Sequence, residues 1–219
     1  MLSFQDFFTA CTGFWTTERI YHYPLKGEVE RSYTEYWVKA LTPEAKLPIL
    51  TSASQSSSAQ AGLPLDPDGL VNQESACPGF AISFNTRSET GEEVSMTLKA
   101  LFVPDQFLRV PMSADNRPLP LAAQTPAQEG GELIQGFYLR DEGYSEAGAI
   151  AGRFTYQPTR QALEMTTYYR RSVAVDQMRL LAPDLRLRTI VTYQRPESRE
   201  EMPTVINLVG FGVEYKRTV

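Results

Sequence analysis

Short segments in which apolar and polar residues alternate recur along most of this chain, and they restrict the folds open to it. Successive side chains of a β-strand point to opposite faces of a sheet, so a period of two residues predicts strands. Ten segments fit this pattern: 13–24, 30–41, 80–86, 93–103, 132–139, 149–156, 162–171, 176–182, 185–193 and 204–217. Because short turns join the later segments, we expect a mostly β fold, either an antiparallel sandwich or a barrel.

One short helix is predicted before the strands. Ser3 is a candidate N-cap with an acidic residue three positions later, and Phe4, Phe7 and Phe8 fall on one face at helical spacing. Gly13 ends this helix.

Two insertions interrupt the strands. Residues 42–75 are polar, small and proline-containing, and residues 104–130 carry five prolines, so both are expected to be long loops. The 219 residues suit a single domain, 1–219, with a sizeable core. A barrel of about ten antiparallel strands is wide enough to enclose one small ligand.

Composition excludes several classes of function. A net charge of −5 argues against a nucleic-acid surface, which needs dense Lys and Arg. No segment approaches the ~20 apolar residues of a membrane span, and the N-terminus lacks a signal-peptide pattern, so we expect a cytoplasmic protein. Cys11 and Cys77 form no disulfide framework, and a single histidine, His22, does not supply a usual metal site.

The segment LRLRT places two arginines on one face of a strand. Arg186 and Arg188 alternate with leucines, and their Cα atoms are about 7 Å apart. Each guanidinium can bind a carboxylate through two hydrogen bonds, which suits a ligand with two acid groups. The alternative is a pair of arginines on the solvent face of a half-buried strand.

The segment VGFGVEYK places Gly210, Gly212 and Glu214 on one face of the last strand. Glycines inside a strand often mark the close approach of a ligand or of another backbone. Glu214 is then a candidate to hydrogen-bond a flat heterocycle or to donate a proton. The alternative is a bulge or bend of the barrel beside a surface carboxylate.

The segment GFWTTERIYHYP carries the only histidine of the chain. In a regular strand Trp15 and Arg19 share one face and His22 lies on the other, so Arg19 and His22 point the same way only if the strand bulges. His22 alone is more typical of a structural histidine than of a catalytic one.

These segments together resemble the CpcS/CpeS-type phycobiliprotein lyases of cyanobacteria and some algae. GYSEAGAIAGRF (143–154), LEMTTYY (163–169), DQMRLLAPDLRLRT (176–189) and GFGVEYKR (210–217) are similar to the family patterns GYxExxxVAGRY, TEY, ERLWFASPNLRMRT and ASFxSEIR, in the same order. FFTACTGFWTTERIYHY is similar to FFxxSAGKWxSxRTSHHL. The resemblance covers roughly 100 residues at the two ends of the chain, and 42–130 barely matches.

The resemblance implies a ten-stranded lipocalin-like or fatty-acid-binding-protein-like barrel that holds an open-chain tetrapyrrole (a bilin). It implies an enzyme of the phycobilisome pathway that promotes thioether attachment of the bilin, phycocyanobilin or a related pigment, to a cysteine of an apo-phycobiliprotein subunit. The bilin is the substrate and no further cofactor is required. A paralogous lyase subunit or a second copy of the chain is a further possible partner.

The resemblance also assigns roles to residues. It implies catalytic roles, by protonation and positioning of the bilin, for Glu214, Asp176 and Arg19. The residues it implies for bilin binding are Arg186, Arg188, His22, Trp15, Phe84, Gly210 and Gly212.

This chain departs from the family pattern at four positions. Ile20, Tyr23, Phe84 and Tyr168 replace the family's Thr, His, Trp and Glu, at expected pocket walls. Two alternatives therefore stay open: a carrier of a bilin or fatty-acid-like ligand without transfer activity, and a non-catalytic subunit of a heteromeric lyase.

Overall fold

The computed structural model describes residues 1–55, 77–108, 117–124, 132–141 and 149–218. In this part of the chain two α-helices accompany ten strands. The helices are α1 (Phe4–Cys11) and α2 (Pro43–Gln55). The strands are β1 (Gly13–Tyr23), β2 (Glu28–Ala40), β3 (Gly79–Ser88), β4 (Glu93–Pro104), β5 (Ile134–Arg140), β6 (Ile150–Gln157), β7 (Ala162–Tyr168), β8 (Ser172–Ala182), β9 (Leu185–Gln194) and β10 (Ile206–Arg217).

The ten strands form one closed antiparallel barrel. Each strand pairs with its neighbours in the chain, and β1 pairs with β10 to close the ring. The predicted antiparallel ten-stranded barrel is therefore confirmed. The register of β1 is continuous from Phe14 to His22 against both neighbours, so this strand carries no bulge.

Helix α1 closes one end of the barrel. Ser3 is its N-cap, and the Ser3 side chain accepts a hydrogen bond from the Asp6 amide at 3.1 Å. Phe4, Phe7 and Phe8 pack against aromatic side chains of the barrel interior, among them Phe102, and Phe7 is completely buried. The predicted N-terminal helix is confirmed, and its apolar face fills the space at this end.

Helix α2 corrects the prediction that 42–75 is entirely loop. Residues 43–55 are helical, and Ile49, Leu50 and Ala53 are buried against the outer surface of β4 and β5. The sequence gives little local signal for this helix because Pro48 and several small polar residues lie within it. Packing on the barrel stabilises it instead. Residues 56–75 lie outside the described part of the chain.

The second predicted loop, 104–130, is described only in part, since 109–116 and 125–130 lie outside the described residues. Residues 117–124 lie across the outer face of β7, β8 and β9, where Ala123 is buried beside Tyr168 and Tyr193. Two short 3₁₀ turns occur, at Asp105–Phe107 and Leu121–Ala123. Neither helix in the described segments is long and apolar enough to cross a membrane.

Candidate functional site

A cavity of about 560 Å³ lies inside the barrel, toward the end opposite α1. This volume falls within the roughly 300–1,000 Å³ typical of small-molecule sites. One wall is apolar and includes Ile82, Phe84 and Met96 from β3 and β4. The structure thus places Phe84, a predicted binding residue, on the cavity wall.

Arg19 and Arg188 form a cationic group on the opposite wall, together with Asp176. Both arginines lie opposite Gly212 in the sheet register, on either side of β10. The Arg188 Nε atom donates to both carboxylate oxygens of Asp176, at 2.9 and 3.2 Å. Arg19 donates to Glu214 at 3.3 Å and contacts the Tyr21 hydroxyl at 3.5 Å.

Arg186 lies below this group, between the cavity and α1. Its Nε donates to Glu214 at 2.5 Å, and its Nη2 donates to the Tyr36 hydroxyl at 2.5 Å. The guanidinium also lies 4.5 Å from the centre of the Trp15 ring, and Arg186 is only 2% exposed. Arg186 does not line the cavity, so the structure does not support the predicted clamp of Arg186 and Arg188; the arginines of this region that line the cavity are Arg19 and Arg188.

Glu214 is fully buried, and three arginines surround it. Burial alone would raise its pKa, but the positive charges of Arg186, Arg188 and Arg19 and a hydrogen bond with Tyr36 lower the pKa to about 2. Glu214 is therefore a carboxylate at neutral pH. Glu214 does not line the cavity and is the counter-ion of the arginines, so this geometry does not support its predicted role as a proton donor to the ligand.

Gly210 and Gly212 face the interior, but side chains of β1 fill the space above them. A Cβ atom at position 210 would lie 2.8 Å from the Tyr21 ring, and one at 212 would lie 3.0 Å from Arg19 Cγ. The prediction that a ligand lies directly on these glycines is therefore corrected. Their role is to let Tyr21 and Arg19 turn inward into the cavity.

We expect Gly210→Ala to weaken binding of the cavity's ligand several-fold by displacing the Tyr21 ring, while the fold is retained. A ligand titration of four proteins checks this: wild type, Gly210→Ala, Tyr21→Ala and the double variant. In the Tyr21→Ala background the added methyl group should cost no further affinity. If Gly210→Ala lowers the affinity equally in the wild-type and Tyr21→Ala backgrounds, the added methyl group does not act by displacing Tyr21.

Two further predicted binding residues lie away from the cavity. His22 is exposed on the outer face of the barrel, as the regular alternation of β1 requires. Trp15 is fully buried near α1, where its Nε1 donates to the Cys11 carbonyl at 2.9 Å. Neither residue reaches the cavity, so both assignments are corrected.

Sequence reasoning missed a second cationic centre in the cavity. Arg140, at the end of β5, is buried on the cavity wall, and its guanidinium donates to the Tyr169 hydroxyl and lies 5.5 Å from the centre of the Tyr138 ring. β5 lies five places from β10 in the ring of ten strands, so Arg140 faces the Arg19–Arg188 group across the barrel. The alternation in GFYLR, which puts Tyr138 and Arg140 on one face, was an available signal.

Comparison with known proteins identifies the family. The family model described as "CpeS-like protein" matches residues 121–217. The protein named "Chromophore lyase CpcS/CpeS 1" from Synechococcus sp. (strain JA-3-3Ab) is 40% identical over 215 residues, which cover 98% of this chain and 97% of that protein. The chain belongs to the CpcS/CpeS family of chromophore lyases.

A solved structure agrees at the level of the fold. The S-type phycobiliprotein lyase CPES from Guillardia theta matches with a TM-score of 0.65 at 15% identity, covering 100% of this chain and 95% of that one. Of the family-like segments, residues 143–148 lie outside the described part of the chain.

Tyr168, one of the four departures from the CpcS/CpeS pattern, was expected at a pocket wall. It instead lies on the outer face of β7, under the Arg117 guanidinium and beside residues 117–124. Tyr168 is therefore not part of the cavity wall.

Proposed function

We propose that this chain binds an open-chain tetrapyrrole, phycocyanobilin or a related bilin, in the barrel cavity and promotes its thioether attachment to a cysteine of an apo-phycobiliprotein subunit. One observation carries the proposal: the cavity of this CpcS/CpeS-family barrel combines an apolar wall with three inward-facing guanidiniums, those of Arg19, Arg140 and Arg188. A bilin is a long conjugated molecule with two propionate groups, so it needs both an apolar surface and cations.

The arginines hold the carboxylates of the bilin. Arg19 and Arg188 keep their orientation because Glu214 and Asp176 bind them from within the protein. A guanidinium has five N–H donors, so an arginine already bonded to one carboxylate still has donors to offer a second one. Charge-assisted hydrogen bonds of this type are about twice as strong as neutral ones.

Asp176 lines the cavity wall, and we propose that its carboxylate meets the nitrogens of the bilin. A negative charge beside the conjugated pyrrole nitrogens favours their protonated form. Protonation draws electrons from the ring system and makes the exocyclic carbon–carbon double bond of ring A a better electrophile. Asp176 therefore activates the bilin while Arg188 fixes the carboxylate in place.

The attachment itself needs no group from this chain to form a covalent bond. The acceptor's thiol adds across the ethylidene double bond of ring A: sulfur bonds to the ethylidene carbon, and the proton ends on the adjacent ring carbon. No group leaves and nothing is oxidised, so we propose that no further cofactor takes part. The chain contributes by presenting ring A in a single conformation.

A transfer assay tests this proposal. The purified chain is mixed with phycocyanobilin and then with apo-phycocyanin subunits, and the fluorescence and the absorbance in acidic urea of the product are recorded. Fluorescence like that of native phycocyanin, with covalent bilin on the acceptor, is the expected result. A shifted bilin spectrum without transfer would identify a carrier or one subunit of a heteromeric lyase, and no spectral change would refute bilin binding.

Arg140→Ala is expected to weaken bilin binding about tenfold, because it removes the cation on the far side of the cavity. Arg153→Ala is a matched control. Arg153 also lies against an aromatic ring, that of Phe137, but it pairs with Asp105 outside the barrel. Absorbance titration with phycocyanobilin compares the two variants, and equal affinities would show that Arg140 does not contact the ligand.

A further inference from the structure

The cavity meets solvent at the end of the barrel opposite α1, which we call the open end. Val94 shows this directly, because it lines the cavity and is also 57% exposed. Tyr169 and Ser172 line the cavity at the same end, on either side of the β7–β8 turn. Helix α1 fills the other end with aromatic side chains. A partner that reacts with a ligand in the cavity therefore approaches the open end.

Exposed apolar side chains surround part of the open end. Leu25, in the β1–β2 turn, is 67% exposed, and Val205, just before β10, is 44% exposed. Because β10 pairs with β1, and β3 and β4 follow β2 in the ring, these two residues and Val94 lie on one continuous arc. We call Leu25, Val94 and Val205 the apolar rim. Exposed apolar side chains beside a ligand site are typical of a surface that binds a second protein.

Charged side chains of opposite sign lie at the two ends of this arc. Arg170 and Arg171 are exposed in the β7–β8 turn, next to Tyr169 of the cavity wall. Glu89 and Glu92 are exposed in the β3–β4 turn, four strands away around the ring. Separated charges of opposite sign orient a partner that carries the complementary charges.

The proposed attachment requires a close approach of the acceptor protein. A single carbon separates the sulfur of a cysteine from its backbone, so the thiol cannot reach ring A unless the acceptor's polypeptide chain lies beside it. The proposed bilin is held inside the barrel by Arg19 and Arg188, which line the cavity. The acceptor surface around the reacting cysteine must therefore lie against the open end.

We propose that the apolar rim and the Arg170–Arg171 turn bind the surface of the apo-phycobiliprotein subunit around its acceptor cysteine. This inference rests on the proposed function, which makes that subunit the acceptor. The apolar rim packs on apolar side chains beside the cysteine, and the two arginines pair with acidic residues of the acceptor. Together these contacts hold the thiol at the open end, where ring A is presented to it.

Binding of an acceptor that cannot react tests this surface separately from transfer. An apo-phycocyanin subunit whose acceptor cysteine is replaced by serine is immobilised, and biolayer interferometry measures its affinity for the chain with and without phycocyanobilin. Leu25→Glu and, separately, Val205→Glu should raise the dissociation constant about tenfold or more, because each puts a charge into the apolar contact. Arg171→Glu should also raise it, and the affinity that remains should depend less on salt.

Leu181→Glu and Arg179→Glu are the matched controls. Leu181 is 47% exposed, Arg179 is also exposed, and both lie near the end of β8 that is next to α1. Both controls should bind the acceptor as wild type does. Absorbance titration should give all five variants the phycocyanobilin affinity of wild type, and circular dichroism checks that each is folded.

Three results would overturn this inference: rim variants that bind the acceptor as tightly as wild type, an equal loss of affinity in the controls, or a wild type without measurable affinity for the acceptor. If wild type transfers bilin but the rim variants bind the acceptor unchanged, only the docking surface is wrong. If wild type binds the serine acceptor through the apolar rim but transfers no bilin to the unaltered subunit, the docking surface is supported and the proposed transfer activity is contradicted.

Discussion

Glu214→Gln is expected to lower the free energy of unfolding by about 3–5 kcal/mol, the usual cost of removing one partner of a buried ion pair. Glutamine keeps the shape of the side chain but leaves Arg186 without a neutralising charge. Arg186 is 2% exposed, so water cannot replace the lost carboxylate. Urea unfolding at neutral pH measures the difference.

Glu93→Gln is the control for this measurement. Glu93 also accepts a hydrogen bond from an arginine, Arg87, at 2.9 Å, but both side chains are exposed. Exposed pairs contribute at most about 1 kcal/mol, so this variant should be nearly as stable as wild type. Similar losses in the two variants would contradict the structural role assigned to Glu214.

The same carboxylate predicts a dependence of stability on pH. Because the folded protein holds the pKa of Glu214 near 2, below its ordinary value of 4.5, its contribution is complete above pH 4.5. That contribution is lost as the pH falls from 4.5 toward 2. The free energy of unfolding of wild type should therefore fall more than that of Glu214→Gln over this interval. If the two proteins lose the same free energy of unfolding between pH 4.5 and pH 2, the lowered pKa of Glu214 is contradicted.

Arg188→Ala is expected to weaken bilin binding by about 1.5–3 kcal/mol, or about 10–100-fold, the usual range for a hydrogen bond to a charged group. The substitution removes a guanidinium from the cavity wall, where Arg188 is held by Asp176. Absorbance titration with phycocyanobilin measures the affinity. Arg87→Ala, which removes an ion-paired arginine from the outer surface, is the matched control and should bind as wild type does.

The dimethyl ester of the bilin separates a carboxylate contact from a general effect on the cavity. Esterification removes both propionate charges and leaves the conjugated system unchanged. Arg188→Ala should therefore bind the ester about as well as wild type does. An equal loss of affinity for the acid and the ester would mean that Arg188 shapes the cavity without binding a propionate.

The alternation along the strands predicted an antiparallel sandwich or barrel, and the resemblance to the lyase family selected the ten-stranded barrel that the structure shows. The same alternation placed His22 and Arg19 on opposite faces of β1, and the structure agrees, with His22 outside and Arg19 inside. Matching the segment to the family pattern assigned His22 to the bilin, against its own periodicity. For His22, the alternation within the strand predicted the position better than the match to the family pattern did.

The position of a side chain along the barrel axis could not be predicted from the sequence. Arg186 and Arg188 share a face, yet α1 fills one end of the barrel and leaves Arg186 in the core while Arg188 borders the cavity. Helix α2 was not predicted either, because its sequence has a weak helical pattern and packing on the barrel stabilises it. Arg140 was not predicted as a site residue because the sequence does not show that β5 lies across the barrel from β10.

A crystal structure of the chain with bound phycocyanobilin tests the central claim most directly. The account predicts the bilin inside the barrel, against Phe84 and Met96, with propionate oxygens within about 3.2 Å of guanidinium nitrogens of Arg19 or Arg188. A bilin bound on the outer surface would contradict it. So would a bilin in the cavity whose propionates point to solvent while both arginines keep only their protein partners.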